Sequence, residues 1–210
     1  MKLFVTGIST EVGKTIASAI IVEALEADYW KPVQAGDLEH SDSHTIKKLV
    51  SNPKTTIHPN SYGLKTPMSP HAAARLDKVT IDMQKIIEPQ TDNHLVIEGA
   101  GGLLVPLNDS KTILDLIQPD YKVVVVSRHY LGSINHTLLT LHLLKEKGVE
   151  VSLIFNGYDP ESYQVQTTEH IISKMTGIPV IGHIENEPYF DDNVIKEYAE
   201  KFKPFLNENG

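Results

Sequence analysis

Gly13, Lys14 and Thr15 close the stretch GISTEVGKT, residues 7–15, and together they could hold a nucleotide phosphate. Gly13 has no Cβ, so the backbone there can come close to a ligand. Lys14 would reach the outer phosphates, and the Thr15 hydroxyl would bind Mg²⁺. Backbone N–H groups at the start of a following helix, together with the helix dipole, would face the phosphate oxygens. The usual spacing sets the first glycine five residues before the second. Here Ile8 holds that place and Gly7 comes one residue earlier, so the entrance to the loop is altered.

Phosphoryl transfer also needs a carboxylate at the end of a neighbouring strand to hold the metal. Glu98 ends the apolar run LVIE and supplies one. After it, Gly99-Ala100-Gly101-Gly102 could surround an anion with bare N–H groups. Asp42, in HSDSH, is a second candidate ligand and equally a candidate helix N-cap. Lys31, in WKPV, ends a second apolar run, placing a second ammonium beside the phosphate loop. His40 and His44 flank Asp42, but a surface loop with incidental histidines accounts for them. Two lysines, a hydroxyl and one or two carboxylates suit phosphoryl transfer better than passive nucleotide storage.

The elements that must position these groups follow from periodicity. LFVT (3–6), YWKPV (29–33), LVIEG (95–99), KVVVV (122–126), VSLIFN (151–156) and IPVIG (178–182) read as buried strands. Lys14–Ala27, a segment near Thr45–Val50, Asn135–Lys147, Ser162–Met175 and Asn193–Phe205 read as helices. Strands that are apolar on both faces and alternate with helices predict an α/β fold. Its sheet is mostly parallel, with helices on both faces. No linker, repeat or low-complexity tract divides the chain, so residues 1–210 are expected to form one domain. Residues 52–70 carry four prolines and a glycine and read as an irregular excursion over the strand ends, where such sheets bind ligands.

Composition narrows the partners. Asp and Glu outnumber Lys and Arg by 27 to 19, giving a net charge of −8 and no basic stripe for nucleic acid or anionic lipid. With no cysteine, the chain has no disulfide, thiolate metal site or cysteine nucleophile. The apolar stretch after Met1 and Lys2 is too short for a signal peptide or membrane span, and a cytoplasmic location is expected.

The loops are more specific than the strands. GISTEVGKT, WKPVQAG, SD (41–42), TPMSPHAAA (66–74), VIEGAGGLLVPL (96–107) and LGSINHTLLT (131–140) resemble the dethiobiotin synthetases, a P-loop NTPase family, in order and approximate spacing. That family's phosphate loop is similar to G-x-x-x-x-x-G-K-T, which accounts for the altered entrance. The resemblance implies a homodimeric enzyme of biotin synthesis using ATP, Mg²⁺, CO₂ and 7,8-diaminononanoate. One amine would take up CO₂ as a carbamate, whose oxygen attacks the γ-phosphate. The second amine would then close the ureido ring and expel phosphate.

Transferred residue by residue, the resemblance implies that Thr10 and Lys14 meet the phosphoryl group. Thr10, Glu11, Val12, Gly13, Lys14 and Thr15 would hold the nucleotide phosphates, with Asn156 facing adenine. Thr15, Asp42 and Glu98 would organise Mg²⁺, and Lys31 would be the main catalytic residue. Substrate contacts would come from Lys31, Ala35, Glu98, Gly99, Ala100, Gly101 and Gly102, with Ser133 and Asn135 contributed by the partner subunit.

Three positions depart from the family pattern. Ser9 stands where an aspartate is frequent, Ala35 where a serine or threonine is usual, and GHIENEP (182–188) where an Ile-Pro segment lines the base. Reduced selectivity for ATP over other nucleoside triphosphates is therefore expected. A related P-loop ligase acting on another substrate, and a partitioning-type ATPase switch, are the alternatives. The mixed charge of the tail KEYAEKFKPFLNENG speaks against a membrane-bound switch.

Overall fold

A computed structural model describes residues 1–207. The first part contains β1 (Lys2–Gly7), α1 (Lys14–Leu25), β2 (Asp28–Trp30), β3 (Val33–Ala35) and α2 (Asp42–Leu49). The middle contains β4 (Ile57–His58), β5 (Tyr62–Leu64), α3 (Pro70–Leu76), β6 (Leu95–Gly102) and β7 (Lys122–Arg128). The chain continues through α4 (Ser133–Lys147), β8 (Glu150–Tyr158), α5 (Tyr163–Thr176), β9 (Val180–Glu185) and α6 (Asp192–Asn207).

Seven strands form one sheet in the order β4-β2-β6-β1-β7-β8-β9, every neighbouring pair parallel. β3 and β5 make a separate two-stranded parallel sheet. The run Val123–Val126 is buried throughout, as are Leu153–Phe155 and Val96–Ile97, because helices cover both faces of these strands. α1 packs with α2 and α6, while α4 packs with α5 and lies against β7 and β8. A single connected core runs through the sheet and both helical layers. No helix among the described residues is long and apolar enough to cross a membrane.

Two local expectations change. YWKPV is two strands rather than one, because Pro32 has no N–H to continue the ladder. The break frees Lys31 from regular pairing, and its carbonyl accepts a hydrogen bond from Asn60 Nδ2 at 2.6 Å. The strand read as LVIEG (95–99) runs on to Gly102, through the small residues after Glu98, and β6 lies between β1 and β2. The excursion over 52–70 supplies the edge strand β4, the whole of β5 and the first residue of α3. Proline at the first turn of α3 suits a helix start, where an N–H would lack an intrahelical acceptor.

Candidate active site

All strands of a parallel sheet share one carboxyl end, and loops gather there. A cleft of about 900 Å³ opens at that end. Its walls include Thr10, Glu11, Gly13, Lys14 and Thr15 after β1, and Lys31, Gln34 and Ala35 around β2 and β3. Asp42, Glu98, Ala100, Gly101 and Asn156 complete the part expected from the sequence.

The loop between β1 and α1 is fastened at several points. Lys14 Nζ folds back to donate to the Ser9 carbonyl at 3.1 Å. Asn156 Nδ2 donates to the Val12 carbonyl at 2.8 Å, and Arg128 Nη1 to the Glu11 carbonyl at 3.1 Å. Gly13 adopts φ +93°, and a Cβ there would lie 2.0 Å from Asn156 Nδ2. Both the backbone angle and the close approach therefore require glycine. Burial pulls the Lys14 ammonium below its ordinary pKa of 10.5, and the nearby Lys31 adds to the effect against Glu98 and Asp42.

Thr15 Oγ1 is the meeting point of two carboxylates, with Asp42 Oδ1 at 2.9 Å and Glu98 Oε1 at 3.0 Å. Lys31 Nζ donates to Glu98 Oε1 at 3.0 Å and makes a short contact with Asp42 Oδ2. Lys31 is 4% exposed and Glu98 1%. Burial alone would lower the Lys31 pKa, but the charges of Glu98 and Asp42 outweigh it and hold the ammonium above 10.5. Burial likewise pushes the Asp42 carboxyl up, and Lys31 overcomes this to leave it below 3.8. At neutral pH Lys31 is therefore a fixed cation rather than a base.

The donor set fits a magnesium ion. Its groups are two carboxylates and one hydroxyl, all hard oxygen ligands. The single Thr15 proton cannot serve both carboxylate oxygens that approach it, so negative charge is in excess at this point. Among the described residues no group of three or more His, Cys, Asp or Glu could hold a metal. A site of two carboxylates is in keeping with magnesium, which commonly takes one or two from the protein and the rest from water and phosphate.

Asp42 is not the helix cap. Ser41 holds that position for α2, and its backbone N–H and hydroxyl meet His44 Nδ1 at 3.3 and 2.9 Å. Asp42 is left free for Thr15 and Lys31, while His44 is spent on the helix start. Gly99 and Gly102 stand outside the cleft lining: a Cβ on Gly99 would meet Phe4 and Ile113, and one on Gly102 the Gly7 carbonyl. Val12 is buried beneath the loop. Ser133 and Asn135 line a different groove of about 430 Å³, together with Tyr130, Leu131 and Ile134.

Pro67, Met68, Ser69 and Pro70, from the expected excursion, form one wall, and Glu185, Asn186 and Glu187, from the segment 182–188, form another near Asn156. Arg128 and Phe190 escape the sequence reading. Buried Gln34 donates through Nε2 to the Gly36 carbonyl at 3.1 Å, while its Oε1 has no partner among the described residues. Tyr29, read from sequence only as an apolar strand residue, donates to Glu98 Oε2 at 3.0 Å. Its register two residues before Glu98 on a neighbouring strand is visible only once β2 and β6 are paired.

Known proteins resemble this chain over nearly its whole length. Residues 1–194 match a family described as an AAA domain. The chain is 56% identical over 206 residues to the ATP-dependent dethiobiotin synthetase BioD of Christiangramia forsetii, covering 98% of this chain and 97% of that one. The protein of the same name in Cytophaga hutchinsonii is 50% identical, with 95% and 96% covered. That of Chlamydia pneumoniae is 37% identical, with 99% and 92% covered. Among solved structures, a plasmid partition protein of Borrelia burgdorferi has TM-score 0.62 at 14% identity, covering 99% of this chain and 98% of that one. The cell division ATPase MinD of Pyrococcus furiosus has TM-score 0.60 at 13% identity, covering 97% and 99%. At such identities these two establish the fold alone. The near full-length identity to the synthetases goes further, and the chain belongs to the ATP-dependent dethiobiotin synthetase family.

Proposed function

We propose that this protein joins 7,8-diaminononanoate and CO₂ at the expense of ATP, giving dethiobiotin, ADP and phosphate. The observation that carries the proposal is the meeting of Lys31, Thr15, Asp42 and Glu98 at the mouth of the phosphate loop. A carbamate is both a weak nucleophile and a weak electrophile, so its phosphorylation creates the leaving group. The protein's task is then to align the reactants and neutralise charge.

Thr10, Lys14 and the loop N–H groups face the phosphates, and Lys31 offers a permanent positive charge to the carbamate and the mixed carbamic–phosphoric anhydride. Thr15, Asp42 and Glu98 would hold magnesium, which when bound supplies charge neutralisation on the phosphates. The N–H groups around Ala100 and Gly101 serve the substrate side, and Asn156 the nucleotide base. As the second amine closes on the carbonyl, phosphate leaves and the anhydride bond is broken.

The working enzyme is a cytoplasmic homodimer of single-domain subunits. Support for the dimer comes from exposed apolar side chains on and beside α4 and α5: Leu131 at 97%, Leu139 at 60% and Met175 at 64%. Ser133 and Asn135 lie beside this surface and would meet the substrate carboxylate of the neighbouring subunit.

Labelled bicarbonate, MgATP and the diamine, followed by acidification, test the activity. A free carbamate loses its label as CO₂, whereas a cyclic urea keeps it. Acid-stable label requiring both ATP and diamine is expected. ATP hydrolysis without stable label would overturn the proposal.

A further inference from the structure

Tyr29 is completely buried in β2, opposite Val96 of β6. Val96 and Glu98 are two residues apart on one strand and so share a face of the sheet. The Tyr29 ring spans the diagonal between them, and its hydroxyl donates to Glu98 Oε2 at 3.0 Å. The other oxygen, Oε1, is left to Thr15 Oγ1 and Lys31 Nζ, both at 3.0 Å. The two carboxylate oxygens thus face different partners, one inside the sheet and one in the cleft.

Packing alone does not call for this hydroxyl. A phenylalanine would fill the same apolar space without bringing a buried O–H that must find an acceptor. A glutamate's terminal torsion is broad and roughly two-fold, so an unheld carboxylate could turn and offer its oxygens differently. We propose that Tyr29 is a positioning residue for Glu98, fixing the carboxylate so that Oε1 faces the place where Thr15, Asp42 and Glu98 would hold magnesium. This rests on the metal-binding reading of Glu98 given above. Groups that orient a metal ligand commonly change metal affinity about 10- to 100-fold when removed.

The test is direct binding of Mn²⁺, a paramagnetic stand-in for Mg²⁺, with ADP present and free Mn²⁺ followed by electron paramagnetic resonance. Wild type, Tyr29→Phe, Glu98→Gln and the double variant are compared. Glu98→Gln should weaken Mn²⁺ binding, and Tyr29→Phe should weaken it by roughly tenfold or more. The double variant should bind no more weakly than Glu98→Gln alone, since Tyr29 acts through Glu98. ADP binding without metal should be the same in Tyr29→Phe as in wild type.

A Tyr29→Phe affinity within about twofold of wild type, beside a weakened Glu98→Gln, would overturn the role of Tyr29 and leave Glu98 as a ligand. Unchanged binding in both single variants would remove Glu98 from the metal site, and this inference with it. Additive weakening in the double variant, or loss of metal-free ADP binding in Tyr29→Phe, would make the hydroxyl a general structural bond and equally overturn its positioning role.

Discussion

Replacing Lys31 with alanine should reduce stability and turnover together, and the structure sets the size of each effect. Lys31 bridges two carboxylates, one of them within the core. Removing one partner of a buried ion pair costs about 3–5 kcal/mol. Here Glu98 keeps hydrogen bonds from Tyr29 and Thr15, and the Asp42 side chain is 32% exposed and partly hydrated. The lower end, about 3 kcal/mol, is therefore expected. For a domain of this size that is a fall in unfolding midpoint of roughly 6–12 °C. Loss of the cation from the proposed anhydride site should cost about another 3 kcal/mol of transition-state stabilisation, comparable to losing an oxyanion-hole donor. This corresponds to roughly a hundredfold lower rate of acid-stable label formation. Rates are to be measured well below the variant's own midpoint, with ATP affinity followed by calorimetry and expected to be largely retained. Near-normal turnover in a folded Lys31→Ala protein would remove the residue from its catalytic role. An unchanged midpoint would refute the claim that the two carboxylates depend on it.

The same pair has a defined pH dependence. Asp42 is held below 3.8, so its contribution is complete above that pH and lost as pH falls through its folded value. Lys31 is held above 10.5, so its contribution is complete below that pH and lost as pH rises through its folded value. The pair's contribution to wild-type stability should therefore be flat around neutrality, and a step near neutral pH traced by NMR titration to Asp42 or Lys31 would contradict the assignment. Gly13→Ala forces a side chain to φ +93° and against Asn156, and should cost about 1–3 kcal/mol in urea unfolding along with weaker ATP binding. A neutral Gly13→Ala would show that the loop is more adaptable than its geometry implies. Leu131→Asp combined with Leu139→Asp should shift sedimentation from dimer to monomer, and an unchanged species would move the interface elsewhere. The atypical segment 182–188 leads us to expect comparable turnover with all four nucleoside triphosphates, and a strong preference for ATP would count against this.

The candidate site residues were legible in the chain itself. Lys14 and Thr15 could be read because the phosphate loop is contiguous, with its strand before and its helix after. Glu98 could be read because an acid interrupts an otherwise apolar run, although β6 continues past it to Gly102 instead of ending there. The strands themselves were visible because a sheet covered on both faces demands uninterrupted apolar runs such as Val123–Val126.

What the tertiary structure decided is everything that depends on which strands are neighbours. β6 separates β1 from β2, so Glu98 comes to stand between Thr15 and Lys31, residues far apart in sequence from it. Capping of α2 by Ser41 frees Asp42 for the site, a choice between adjacent residues that composition cannot make. The excursion over 52–70 was expected above the strand ends, but not which of its residues line the cleft, because a turn-rich segment has no periodicity to aim it. Tyr29 is the clearest case. By itself it is one more apolar residue in a short strand, and it gains a partner only when the register sets Val96 opposite it. Periodicity reports which face of an element is buried; only the paired sheet determines what a buried hydroxyl can reach.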